Sequence, residues 1–416
     1  VITNSIQILG VKTIAYYPKI VQPSIALFKK TEIEKETLLR SQLQLSILLL
    51  FATMVKSMPT FVLSNLFDIL HIIFFSDEVE TTVRLSAIDL IISNLDLKEV
   101  LKVLYKCWTN EVSKSNDSII ISLFISALEA TVEAADKKTA TFQSPIFFKL
   151  LLSLFEYRST SAFDNNTISR IEASVYQIAN TYVLKMNDKI FRPLFAIVIR
   201  WAFDGEGVTN TEMTEVERCI AFFKFFTKLQ ENLKGIITSY FTYILEPVNK
   251  MLLRYISKDL TDIGLQRLLF ISLTSSFKYD RDEYWKSTSR FELISETLIN
   301  QLSVIDRVLG RYLVKAIGAL AAANNGVDEH NQIMNKLLIN HMKATCTSQE
   351  KLWAAKSIKL IYSKVGENWL VLLPQLVPTI AELLEDDDEE IEDEVRTGLV
   401  KVVENVLGEP FDRYLD

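Results

Sequence analysis

Residues 61–91 read FVLSNLFDILHIIFFSDEVETTVRLSAIDLI. In the first half, Leu63, Leu66, Phe67, Leu70, Ile73 and Phe74 recur at three- and four-residue spacings, which places them on one wide apolar stripe of a helix. The polar triplet Ser76-Asp77-Glu78 interrupts the pattern, and Val83, Ala87, Leu90 and Ile91 mark a second stripe. Two such helices joined by a short turn cannot bury both stripes alone, so each pair needs a neighbouring pair. The same texture continues down the chain. Helices are predicted over about 97–109, 117–135, 145–157, 167–186, 191–204, 214–231, 234–256, 259–277, 290–302, 303–323, 329–342, 348–364, 368–384 and 390–407 from the same periodicity. Ser144-Pro145 reads as an N-cap followed by proline at the first helical position. Met58-Pro59 and Glu246-Pro247 mark a boundary or a kink. The polar interruptions at 159–166 and 204–211 are too brief for domain linkers.

Composition supports an all-helical reading. The chain has 11 glycines and 9 prolines in 416 residues, where average usage gives roughly 29 and 21. No glycine stands between Gly10 and Gly205. Phosphate-binding loops need glycine where backbone approaches phosphate, and sandwiches and barrels need many glycine- and proline-rich turns. Both classes are disfavoured. Residues 371–416 hold 14 acidic and 3 basic residues, a net of −11, whereas the remainder carries +4. The body is therefore weakly basic and the end strongly acidic, unlike the uniform basic stripe of a dedicated nucleic-acid binder. The chain starts at Val1 without methionine, so a fragment or processed product is expected, with no signal peptide visible. The apolar stretches 45–55 and 61–75 are too short or too interrupted to span a bilayer and read as buried helices. Cys107, Cys219 and Cys346 are odd in number and far apart, which fits a reducing compartment and no disulfide framework.

The first helices of successive pairs start near 59, 97, 145, 191 and 234, in steps of about 38 to 48 residues, close to the roughly 40–47-residue period of HEAT and armadillo repeats. The expected fold is an all-α solenoid of HEAT-like helix pairs. Glu78, Val83, Arg84 and Ala87 match the HEAT pattern of an acid in the turn followed by Val-Arg and a small residue. The arginine is expected to reach an acid of a neighbouring repeat and so build a ladder. A second copy lies at the end, where Leu372-Leu373-Pro374, Ile380, Leu383 and Leu384 lead into Asp386. There Ile391-Glu392 lacks the arginine, or Val395-Arg396 supplies it after a longer turn. This repeat, 372–416, is expected to be an irregular cap.

Several motifs resemble one family. They are Phe191-Arg192-Pro193-Leu194-Phe195 with Trp201-Ala202-Phe203, and the aromatic helix 222–229 with Tyr240-Phe241. The ending also fits, from Leu372-Leu373-Pro374 through Ala381-Glu382-Leu383 and the acidic run to Leu407-Gly408-Glu409-Pro410-Phe411. Together these resemble the U3 small nucleolar RNA-associated protein ten family, the HEAT-repeat proteins of the small-subunit processome. The likeness covers about 145 to the C-terminus. It implies HEAT-like repeats over 1–140 and the family's C-terminal repeat region over 141–416. It further implies a non-catalytic scaffold in the nucleus and nucleolus, within the early U3-containing subcomplex on the 5′ external transcribed spacer of pre-rRNA. β-Propeller proteins and the U3 snoRNP are its implied partners, and support of small-subunit rRNA processing and RNA polymerase I transcription its implied role. The residues themselves read as packing. Pro193 suits a first helical turn, Phe191, Phe195, Val198 and Ala202 share an apolar face, and Trp201 is core or rim. The alternative from another class is a karyopherin-like transport solenoid that binds cargo and a small GTPase.

No catalytic constellation is visible. His71 reads as a packed helix residue, and His330 and His341, eleven residues apart in sequence, stand roughly 16 Å apart on a helix. No cysteine pair has zinc spacing, Gly205-Glu206-Gly207 lacks the third glycine of a dinucleotide fingerprint, and no nucleophile elbow or Walker motif occurs. No cofactor or metal is expected, nor a membrane partner. Three segments are candidate contacts. Lys278, Arg281, Lys286 and Arg290 interleave with Tyr279, Tyr284, Trp285 and Phe291, a pattern that can hold single-stranded RNA, although Asp280, Asp282 and Glu283 dilute it. Lys185, Lys189, Arg192 and Arg200 form a second basic cluster. Asp386, Asp387, Asp388, Glu389 and Glu390 are either a solvated turn suited to the next helix dipole or a dock for a basic tail.

Overall fold

The computed structural model describes residues 1–31 and 37–414, and among them helices alternate with turns and no strand occurs. The chain divides into two compact units, Val1–Thr214 and Glu215–Asp416. The first holds α1 (Ile2–Leu9), α2 (Tyr17–Thr31), α3 (Thr37–Ser57), α4 (Leu66–Phe75), α5 (Thr81–Asn94), α6 (Leu97–Asn110), α7 (Ser118–Ala134), α8 (Lys137–Phe155), α9 (Asn165–Val183) and α10 (Asp188–Ile199). Here α2, α4, α6, α8 and α10 stack as one layer, and α1, α3, α5, α7 and α9 as the other. The second unit holds α11 (Glu215–Leu233), α12 (Leu245–Ile256), α13 (Ile263–Lys278), α14 (Thr288–Ile299), α15 (Gly310–Ala323), α16 (Asp328–Asn340), α17 (Ser348–Trp369), α18 (Leu373–Leu383) and α19 (Val400–Leu407). Its layers are α12, α14, α16 and α18 against α11, α13, α15, α17 and α19. Each unit is thus an α-solenoid of helix pairs, as the periodicity requires. Among the described residues one helix, α3, is long and apolar enough to cross a membrane. Its Gln44 is fully buried and holds the turn of the next pair.

Several boundaries differ from expectation for local reasons. Helix α8 starts at Lys137, not at Pro145, because Asp136 accepts from the Thr139 N–H at 2.7 Å and caps it. Pro145 therefore lies inside the helix and cannot donate to the Thr141 carbonyl. The Ser144 hydroxyl takes its place at 2.9 Å. Pro193 likewise stands beyond the first turn of α10. The helix expected over 234–256 breaks into Gly235–Thr238, a tighter turn Ser239–Tyr243, and α12, which carries Pro247 in its first turn. The helix expected from 303 begins at Gly310, after an Asp306 side chain that accepts from the Val308 N–H.

The repeat signature is also corrected. Asp77, not Glu78, is the working acid of its turn, paired with Arg40 and accepting from Gln44 at 3.0 Å. Arg84 makes no ladder ion pair among the described residues, although the Asp117 carboxylate of the next pair attracts it. The arginine is 3% exposed and donates to the Phe74 carbonyl at the end of its own pair's first helix. Arg396 repeats this role on the Leu384 carbonyl at 3.3 Å. That identifies Val395-Arg396 as the Val-Arg pair of the last repeat, reached after a longer turn. Between Glu389 and α19 the helix widens to π geometry over Glu394–Leu399. Ile391, Val395, Leu399 and Val403 recur every fourth residue and all are buried. A four-residue repeat overshoots the 3.6-residue turn, and a widened turn restores the face to the core.

Glycine in the second unit lets helices approach closely. A Cβ on Gly310 would lie 2.0 Å from the Trp353 ring of α17, one on Gly318 2.7 Å from Leu360, and one on Gly366 2.7 Å from Val406. Gly310→Ala should therefore lower stability by about 1–3 kcal/mol through overpacking, read as a lower urea midpoint with an unchanged slope. An unaltered midpoint would show that Trp353 swings away at no cost.

Candidate functional site

The segment 278–290 closes the turn before α14. Asp280 organises it, accepting from the backbone N–H of Tyr284 at 3.0 Å and of Trp285 at 2.9 Å. Trp285 is 0% exposed, donates to the Ser276 hydroxyl at 3.0 Å, and packs edge-on against Phe241, Phe277 and Tyr284. Its ring is core and is closed to a nucleobase. Phe291 is equally buried and stacks on His330 at 3.9 Å. Arg290 lies over the Tyr284 ring and donates to that residue's carbonyl, and Lys286 pairs with Glu283 at 2.9 Å. Lys278, 5.3 Å from the Tyr279 ring, and Arg281 remain exposed. The interleaved pattern thus splits into a core aromatic knot and two outward cations.

The second cluster disperses. Lys185 donates to three carbonyls, Val132 at 2.6 Å, Glu133 at 2.8 Å and Ala135 at 2.6 Å, at the end of α7. All three ammonium protons are used, and burial there holds the pKa below its usual value. Lys185 is a helix cap and has no proton left for a phosphate. Lys189 is exposed on the first turn of α10, Arg192 pairs with Asp188 at 2.5 Å, and Arg200 pairs with Glu206 at 2.8 Å. Arg200 instead belongs to a cleft of about 910 Å³ in the first unit, lined among others by Tyr105, Lys114, Lys149, Glu156 and Tyr157. Glu156 is 4% exposed. It accepts from the Trp201 indole at 2.9 Å, from the Thr209 N–H and hydroxyl, and from the Asn210 N–H at 3.0 Å. One buried carboxylate thereby holds the loop 205–210 and fixes Trp201 in the core. The sequence showed only a polar interruption there. Nothing in its spacing revealed that Glu156, over forty residues earlier, was its anchor.

The acidic run is spoken for in part. Asp386 pairs with Lys351 at 2.8 Å, both about nine-tenths buried. Burial raises the Asp386 pKa, but the Lys351 ammonium and the Asp388 N–H outweigh it and hold it below the ordinary 3.8. Asp388 caps the next helix through the Glu390 N–H, and Glu390 meets Arg307 at 3.1 Å. Asp387 and Glu389 face outward. The histidines are packed singly: His71 on Glu111 and Phe75, His330 on Asn324, His341 on Glu350 and Asn300. Burial pulls the His330 pKa down and pushes the Cys107 and Cys219 thiols up. Among the described residues no group of His, Cys, Asp or Glu is placed to hold a metal.

Residues 139–285 match the BP28CT (NUC211) domain. Over 415 residues the chain is 70% identical to U3 small nucleolar RNA-associated protein 10 of Saccharomyces cerevisiae, covering 100% of this chain and 24% of that protein. It is 67% identical over 416 residues to the protein of the same name from Candida glabrata, covering 100% and 23%. The chain spans about a quarter of the length of these curated relatives. Among solved structures it is similar to Kap121p, with a TM-score of 0.47 at 12% identity over 96% of this chain and 44% of that one. The likeness anticipated from Phe191–Phe195 and the C-terminal motifs is thereby shown, and it extends through the first 140 residues, where no motif carried it.

Two variants separate packing from surface chemistry. Trp285→Ala should cost about 3–5 kcal/mol in chemical denaturation, while the double change Lys278→Ala with Arg281→Ala should stay within about 0.5 kcal/mol of the parent. Lys351→Met strands the Asp386 carboxylate and should cost about 3 kcal/mol at pH 7. The stabilisation from a depressed carboxylate is complete above its unfolded pKa and lost as pH falls through the folded value. The Lys351→Met penalty should therefore shrink as thermal melts are taken below pH 4, and a penalty as large at pH 3 as at pH 7 would refute the assignment.

Proposed function

We propose that this chain, which is similar from end to end to part of the U3 small nucleolar RNA-associated protein 10 sequences, is a scaffold segment in ribosome biogenesis. It works in the nucleolus with the U3 snoRNP. The finer reading is membership of the early U3-containing subcomplex on the 5′ external transcribed spacer, alongside β-propeller proteins, with support of small-subunit rRNA processing and RNA polymerase I transcription. The 70% identity over the whole chain carries this reading. Stacked helix pairs suit it physically, because a solenoid offers long ordered faces for several partners at once. The chemistry also agrees with a non-catalytic role: the buried titratable groups described above are occupied in packing, capping and turn closure. Lys189, Lys278 and Arg281 stay exposed for RNA or protein, and Asp387 and Glu389 for a basic tail.

Replacement in cells of the full-length protein by one lacking this segment should lower small-subunit rRNA and co-precipitation of U3 RNA, while large-subunit rRNA holds. Normal levels of both would remove the reading.

A further inference from the structure

The second unit carries a pattern of charge that runs across helices and not along the sequence. α13 packs beside α15, and α15 beside α17. Neither α13 nor α15 contains an acidic residue, although the unit as a whole holds more acids than bases. Arg267 on α13 and Arg311 and Lys315 on α15 are exposed. Both guanidinium groups lie over one ring, Arg267 at 5.7 Å and Arg311 at 5.3 Å from the Tyr312 centroid. Farther along stand exposed Lys278 of α13 and Lys364 of α17, whose partly covered ammonium is held below its usual pKa by desolvation and by repulsion from Lys278. Among the described residues no carboxylate comes within ion-pair distance of Arg267, Lys278, Arg311, Lys315 or Lys364. The neighbouring Lys356 and Lys359 do have one, Glu394.

An aromatic face holds a guanidinium in place without cancelling its charge, and leaves its planar donors open. A carboxylate would have done the reverse. Arg311 and Lys315 stand one turn apart, about 6 Å of rise along α15, and adjacent helix axes lie about 8–10 Å apart. Such spacing meets a repeating anion better than a single acidic group, and fixed guanidinium forks match phosphate oxygens. We propose that the face made by Arg267, Arg311 and Lys315, bordered by Lys278 and Lys364, binds the phosphate backbone of RNA. It deepens the scaffold reading above and rests on it for the choice of RNA.

The 416-residue chain is titrated into a short labelled single-stranded RNA across a salt series, with binding followed by anisotropy. Each neutralised phosphate on a single strand contributes about 0.7 to the slope of log affinity against log salt. The triple variant R267A/R311A/K315A should lose about tenfold or more in affinity near 0.1 M salt, and its slope should fall by about 2. The control K250A/K336A/K343A, which removes three exposed cations on and just after the other layer, should bind as the parent does. The single K315E change, on an exposed side chain, keeps the test open if the triple variant melts early. Absence of RNA binding by the parent, equal losses in test and control, or no loss in either test variant would overturn the proposal. So would displacement of RNA by poly-glutamate as effective as by unlabelled RNA, which would mark the face as a dock for an acidic peptide. The cellular replacement is independent: normal rRNA there removes the scaffold reading, whereas a failed titration removes only this face.

Discussion

Stacking one helix pair on another buries the turn between helices, and a buried turn must have its polar backbone and acids satisfied. In this chain a buried glutamine meets that demand at one turn, and others bridge to a helix carbonyl of the pair before or after. Gln44 donates to Asp77 and accepts from the Glu78 N–H. Gln143 reaches the Lys98 carbonyl, Gln230 the Ser272 carbonyl, and Gln301 both the Leu252 carbonyl and Gln266. These glutamines are at most 5% exposed. Apolar stripes tolerate sliding, because burial is roughly proportional to area and has no direction. A slid glutamine would lose its carbonyl and leave its own buried amide unpaired at about 1–3 kcal/mol. The rungs therefore set the register that the apolar stripes leave open.

The helix ends follow from the same demand. Carbonyls at the end of a first helix are covered by its own second helix, so a cation must come in to meet them. Arg84 does this for Phe74 and Arg396 for Leu384, and Lys185 of the next pair does it for the end of a second helix, α7. Such a cation is consumed by the fold. Where the layers must close more tightly, glycine replaces a side chain, and its partner is a large residue of the next pair: Trp353 against Gly310, Leu360 against Gly318. The late position of glycine in the sequence thus reflects helix-to-helix distance as well as the positive-φ turns at Gly205, Gly207, Gly326 and Gly408.

Periodicity was sufficient for the architecture because stripe spacing is local and each stripe is self-contained. Caps were harder. Ser144-Pro145 has the composition of a helix start, but Asp136 was the stronger cap, and Ser144 instead repairs the carbonyl that Pro145 leaves open. Asp77 and Glu78 are equivalent in sequence, and only the approach of Arg40 and Gln44 from the previous pair separates them. Trp285 shows the same limit. An aromatic among cations reads as a stacking surface until Ser276, Phe277 and Phe241 are found around it.

Charge has a different geometry from hydrophobicity in such a fold. Residues that share a face of adjacent repeats are one repeat apart in the chain, so a surface is written in instalments. Arg267 and Arg311 converge on a single ring from different helices, while Lys278, Lys286 and Arg290, neighbours in sequence, end in unlike surroundings. A window sliding along the chain finds the second set and overlooks the first. The informative feature was instead an absence sustained over two helices, the lack of any acid in α13 and α15. Elsewhere in the same unit lysines found carboxylates across the same kind of interface, as Lys351 and Lys359 did with Asp386 and Glu394. Pairing is thus one outcome of stacking charged helices in this unit. A face where it is withheld keeps its positive field, and with the guanidinium groups already steadied by Tyr312, little side-chain freedom is left to lose when an anion arrives.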